Sequence, residues 1–193
     1  MSQTATERLR LQPAPDGLAL VQDLLNTRDI GGKVPDLLAD VDQARDWLSG
    51  LSAVRADTEL RGWARELSER DLAALRVLRG AVQVAVGGSD PTSNPGTLTK
   101  VDLSWQPSGE LRLEPTGSGR RRFASAVWGA VFLAQQAKTW NRLKLCHLPA
   151  CSSAFYDRSK NNSGVWHDVR MCGNAANLRA SRARRRDHGA VTS

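Results

Sequence analysis

The chain has 193 residues and a mass of 21.0 kDa, with 40% hydrophobic and 24% charged residues. That suits one ordinary domain with a small appendage, and it excludes a disordered, collagen-like or low-complexity chain. The longest apolar stretch, Phe123 to Ala134, contains Ser125 and Gly129 and falls short of the ~18 residues a membrane span needs. The opening MSQTATERLR has no apolar run behind its charges and does not read as a secretory signal, so the expected location is the cytoplasm.

The net charge of +7 is unevenly placed. Residues 1–141 hold 17 Lys/Arg and 17 Asp/Glu, whereas residues 142–193 hold 10 against 3. Most of the excess is Arg179, Arg182, Arg184, Arg185 and Arg186. A neutral body with a cationic end points to a polyanionic partner, because clustered arginines neutralise phosphates and release counterions. A merely solvated basic tail has the same charge pattern, so charge alone does not choose between them.

In chain order, Gly17 to Arg28 (GLALVQDLLNTR) sets Leu18, Val21, Leu24 and Leu25 at helical spacing. Asp36 to Leu51 repeats the pattern with Leu37, Leu38, Val41, Ala44 and Leu48. Thr58 to Leu67 and Ser68 to Val86 read as two further helices, the second opened by Ser68 with Asp71 in a capping-box position. Gly87-Gly88 ends it, and SDPTSNPG is a loop.

The period then changes. Val101, Leu103 and Trp105 alternate with Lys100, Asp102 and Ser104, and a turn at Gln106 to Gly109 leads to Leu111 and Leu113, which predicts a β-hairpin. Gly117 to Gly119 breaks the chain before Phe123 to Trp140, an apolar helix expected to run through the core by way of Phe123, Val127, Val131, Phe132 and Ala134. Trp47, Trp63, Trp105, Trp128 and Trp140 either line a ligand pocket or, as is commoner, fill the core. No internal repeat is visible.

Three cysteines is an odd count, and all lie between positions 146 and 172. A secreted disulfide framework uses even numbers spread over the fold, so the cluster argues for a metal. With His167 the spacing is Cys146-x4-Cys151-x15-His167-x4-Cys172: two pairs of soft or borderline ligands, separated as zinc-ligand pairs are. Pro149 and Ala150 suit a knuckle turn. Phe155-Tyr156 and Val165-Trp166 flank SKNNSG as a hairpin, and Cys172 heads a stretch able to continue as helix to Arg186. Knuckle, hairpin and ligand-bearing helix make a treble-clef-like arrangement. His147 adjoins Cys146 too closely to share one ion without strain, and His188 lies in the polar tail. The alternative for the cluster is three buried structural cysteines and an unrelated histidine.

The run Cys146-His147-Leu148-Pro149-Ala150-Cys151, then FYDRSKNNSGVWH, then Cys172-Gly173-Asn174, resembles the CGNR-type zinc finger. That family joins it to an N-terminal ABATE domain, ascribed to proposed stress-induced transcription regulators of bacteria, and GLALVQDLLNTR resembles the start of that domain. Two positions depart from the pattern. His167 stands where the family usually has cysteine, which leaves a zinc ligand with one thiolate fewer. Ala175 stands where the family name implies arginine, so the basic residues of this helix begin at Arg179.

The resulting expectation is a mainly α (α+β) protein. A helical ABATE-like domain with one hairpin over residues 1–141 senses a small-molecule effector or dimerises. A treble-clef-like module over 142–193 holds one structural Zn2+ through Cys146, Cys151, His167 and Cys172. Arg179, Arg182 and Arg186 share a helical face, Arg184 and Arg185 extend it, and duplex DNA is the expected partner. Four protein ligands leave no place for a catalytic water, and no Ser/His/Asp set, phosphate-binding glycine loop or HExxH helix is present, so an enzyme is not expected. The alternative is an RNA- or protein-binding zinc module, with Phe155, Tyr156 and Trp166 available for base stacking.

Overall fold

The computed structural model describes residues 4–32, 34–87, 99–179 and 181–182. Six α-helices lie in it before the zinc-ligand region: α1 (Leu18–Leu25), α2 (Val41–Gly50), α3 (Ser52–Ala56), α4 (Thr58–Arg65), α5 (Glu69–Gly87) and α6 (Gly119–Gln136). Strands β1 (Val101–Trp105) and β2 (Leu111–Pro115) form one antiparallel hairpin, and β3 (Leu143–Leu145) and β4 (Ala154–Tyr156) form another. The mainly α reading with small β additions holds.

The local chemistry explains the boundaries. Ser68 and Asp71 form the expected capping box at the head of α5: the Ser68 amide donates to the Asp71 carboxylate at 3.2 Å, and the Asp71 amide donates to Ser68 Oγ at 3.3 Å. Helix α2 starts later than its apolar spacing suggests. Asp40 caps it by accepting from the Gln43 amide at 2.8 Å, while Asp36 takes both guanidinium nitrogens of Arg79 at 2.7 and 2.8 Å. Residues 36–40 are thereby held in a turn. Leu38 is fully buried without being helical.

The core gathers Leu18, Val21 and Leu24 of α1, Leu72, Leu75 and Val82 of α5, and Phe123, Val127 and Val131 of α6. Trp47 and Trp63 pack on Phe123 with ring centroids 6.1 and 5.8 Å away. Leu143 of β3 and Ala154 of β4 belong to this same cluster, so the second hairpin is seated on the helices.

Three expectations for this region are corrected. Helix α6 stops at Gln136, and Trp140–Arg142 is a 3-10 turn. Phe132 is 51% exposed, because α6 covers the core with one face and presents the other to the first hairpin and to solvent. Trp105 is 72% exposed: the apolar hairpin face of Val101, Leu103, Trp105 and Leu111 is largely open. Trp47 is buried, and Trp63, Trp128 and Trp140 pack against the core partly buried.

Candidate metal centre

Strand β3 ends at Leu145 and β4 begins at Ala154, which leaves Cys146 and Cys151 in the turn that joins them. The turn is tight. The Cys151 and Ser152 amides both donate to the Leu148 carbonyl, at 2.7 and 3.1 Å, and the Cys146 amide donates to the Ser153 carbonyl at 2.9 Å. Pro149 and Ala150 therefore sit in the expected knuckle. The hairpin, however, lies on the other side of it. Tyr156, Phe155 and Ala154 pair with Leu143, Lys144 and Leu145, not with the chain around Trp166. The 143–145 run alternates as well as any later segment, and the knuckle brings it face to face with β4.

The chain between the ligand pairs is organised by one buried carboxylate. Asp157 accepts from Lys144 Nζ at 2.8 Å, from the Ser159 amide at 2.8 Å and from the Gly164 amide at 2.7 Å. Burial alone would raise its pKa; the Lys144 ammonium and these donors outweigh it and hold the group well below the usual carboxylate range. SKNNSG thus closes as a turn around Asp157. The chain then returns past the knuckle, where the His147 amide donates to the Val165 carbonyl at 3.0 Å. Asp168 caps the last element by accepting from the Met171 amide at 2.9 Å, and a π-helical turn, Val169–Gly173, presents Cys172 before the chain continues as α-helix. An aspartate immediately before a helical turn, accepting from the amide three residues on, is a capping signal readable in the sequence.

These elements bring Cys146, Cys151, His167 and Cys172 together, with one donor atom from each within 4.8 Å of all the others. His167 turns Nδ1 toward Cys151 Sγ at 3.2 Å and Cys172 Sγ at 3.5 Å. Zn–S and Zn–N bonds of ordinary length at tetrahedral angles set sulfur and nitrogen about 3.5 Å apart, so the donors fit one zinc. The electrostatics agree. Burial works against a Cys151 thiolate, yet hydrogen bonds from His167 and Ser153 bring its pKa down to about 6. Burial raises the Cys146 thiol, and burial together with the Cys151 charge raises Cys172. Three sulfurs this close oppose one another's ionisation, and a divalent cation among them removes that penalty. No disulfide joins them. His147 is exposed, edge-on to Trp166 at 6.0 Å, and outside the group.

The helical body braces this centre through α1 and the loop after it. Asn26 receives the Ala154 amide on its side-chain oxygen at 2.8 Å and returns a hydrogen bond to the Ala154 carbonyl at 3.0 Å; Gln22 adds another to that carbonyl at 3.2 Å. Ile30 packs against the cysteine cluster. Gly31 has φ +61°, and a Cβ there would lie 2.7 Å from the Ala150 carbonyl oxygen, so both conformation and space require glycine. The sequence offered no periodic signal for these braces.

Arg179 and Arg182 are exposed on the helix that follows Cys172. Arg184, Arg185, Arg186 and His188 lie outside the described residues. Ala175 packs against the cysteine cluster, so the position of the family's arginine is on the cysteine side of the helix here. Phe155 is buried and Trp166 also packs on that cluster, while Tyr156 lies under the Arg158 guanidinium, 5.5 Å from its centroid.

The family comparison matches this architecture twice. Residues 142–185 match the model described as "CGNR zinc finger", and residues 18–139 match ABATE, described as "Putative stress-induced transcription regulator". A zinc finger of this type and the Cys3His donor set together give one structural zinc ion as the cofactor. The chain belongs to the ABATE family, with a CGNR zinc finger following the ABATE region. No curated protein matches it.

Proposed function

We propose that this chain is a cytoplasmic, zinc-dependent, DNA-binding transcription regulator, with the region up to residue 141 sensing or dimerising and residues 142–193 contacting duplex DNA. One structural zinc is held by Cys146, Cys151, His167 and Cys172. The observation that carries the reading is the helix led in by Cys172: it starts at the four-donor centre and bears Arg179 and Arg182 exposed one turn apart. A zinc that fixes the start of a helix fixes the direction in which its arginines approach phosphates and base edges. When bound, the metal supplies charge compensation and a cross-link. A four-ligand set leaves no open position for a water, so its role is structural and the protein is not an enzyme.

The test is a salt series on the zinc-loaded full chain with a labelled duplex and a single-stranded RNA of equal length. If about four arginines engage phosphates, log K against log salt for the duplex has a slope of roughly −3 to −4. Replacing Arg184 to Arg186 with alanine weakens all duplexes alike and flattens the slope, whereas changing Arg179 or Arg182 also reduces discrimination between sequences. Preference for the single-stranded RNA, or no retention of either at ~50 mM salt, assigns the module to RNA or to a protein partner.

A further inference from the structure

A cleft of about 530 Å³ opens on the far side of α1 from the zinc hairpin, walled by Leu20, Leu51, Leu113, Ala126, Gly129 and Leu133. Its volume is that of a site for a drug-sized molecule. Gly129 lets the hairpin lie close on α6 at the cleft wall: a Cβ there would lie 2.7 Å from Leu113 Cδ2, so the Leu113 side chain packs directly on the helix backbone. None of the tryptophans lines it.

The charge at this cleft opposes that of the chain. The protein carries +7 overall, yet the charged residues at the cleft are Glu7, Asp16 and Asp23 against Arg55. Asp23 is 4% exposed. Its Oδ2 accepts from the Ala5 amide at 3.2 Å and from Trp47 Nε1 at 2.8 Å, and its Oδ1 accepts from the Thr6 amide at 2.7 Å. A carboxylate offers about four acceptor positions, so one on Oδ1 remains. Among the described residues none forms an ion pair with it. The nearby Arg8 feels the Asp23 charge but forms no ion pair with it: its terminal nitrogens donate to the carbonyls of Asn26, Arg28 and Pro35, and its buried Nε has no partner among the described residues.

We propose that this cleft binds an amphiphilic organic cation, its apolar body against the leucines and its positive end toward Asp23, Asp16 and Glu7. An anion meets like charge in a low-dielectric recess; a neutral apolar molecule dries the Asp23 carboxylate without compensating it. A cation gains on both counts. Helix α1 carries Leu20 and Asp23 on the cleft and Gln22 on Ala154 of the zinc hairpin, with Asn26 at its C-terminal cap on the same alanine, so one element touches both sites. An effector role for the ligand rests on the DNA-binding reading; the binding itself does not.

The test uses the zinc-loaded full chain without DNA, titrated calorimetrically with tetraphenylphosphonium and with tetraphenylborate, which match in size and shape and differ in sign. Tetraphenylphosphonium binds, and Ala126→Phe, which fills the cleft, weakens it by about tenfold or more. The exposed rim variant Leu133→Lys weakens it by about tenfold as well, and it strengthens tetraphenylborate. No tetraphenylphosphonium binding overturns the proposal. So does binding that neither variant changes, or equal binding of the borate at the same cleft.

Discussion

The helical body and the zinc-ligand region are stabilised by opposite means. The body buries leucines, valines and aromatic rings from α1, α2, α5 and α6 in one continuous cluster. The buried cluster of the ligand region is Cys146, Leu148, Cys151 and Cys172, with Ile30, Trp166, Ala175 and Ala176 packed against it. So few apolar side chains do not offset the conformational entropy of ordering the chain around them; a cross-linking metal does, because its binding free energy becomes folding free energy. Each region therefore breaks in its own way, the body through cavities and the ligand region through lost donors.

Removing a zinc ligand has the largest effect expected. Cys172→Ser loses stoichiometric zinc by elemental analysis, and amide exchange becomes fast from the knuckle to the last helix while α1, α5 and α6 stay protected. His167→Cys keeps the zinc, and His167→Ala weakens it, since thiolate and imidazole both suit a tetrahedral site. A Cys172→Ser protein whose α5 amides lose protection as well would merge the two regions into one unit.

Next comes the body. Phe123→Ala removes a fully buried ring that Trp47 and Trp63 pack on, and it costs about 3–5 kcal/mol in denaturant unfolding. Zinc stoichiometry of the folded protein is unchanged.

The polar braces join the two regions, and losing one has an effect of intermediate size. Asn26→Ala leaves the buried Ala154 amide without its acceptor and costs about 1–3 kcal/mol. The variant also speeds zinc release to a chelator, because Ala154 lies three residues from Cys151.

Acid acts through Asp157. Its pKa is lowered in the folded protein, so its contribution is complete above the unfolded value of about 3.9 and is lost as pH falls through the folded value. Asp36, Asp57 and Asp71 are lowered in the body with the same sign. Asp157→Asn removes the steepest part of the acid limb in a pH series of unfolding midpoints and lowers stability at neutral pH by about 1.5–3 kcal/mol. An unchanged acid limb would contradict this role.

The same contrast governs what the residues revealed in advance. Periodicity located α1, α5, the first hairpin and α6, because a face buried on one core must repeat every 3.6 or 2 residues. Ligand spacing located the metal centre, because zinc accepts few residue types and binds them in short pairs. The hairpin partner of Ala154–Tyr156 was misplaced: three-residue strands carry almost no period, and their register comes from the knuckle. Asp36 looked like part of a helix until its bond to Arg79, 43 residues away, held it in a turn. The braces at Gln22, Asn26, Gly31 and Asp157 are tertiary, and no local pattern specifies them.

The proposed function requires zinc to organise the helix carrying Arg179 and Arg182 for contact with duplex DNA. Its most direct measurement is fluorescence anisotropy of a labelled duplex with the full chain, zinc-loaded, then chelated, then resupplied with one equivalent of zinc. The expected result is binding at low salt, loss on chelation while the circular dichroism of the helical body persists, and recovery with zinc. Binding of equal strength in the chelated protein would contradict it.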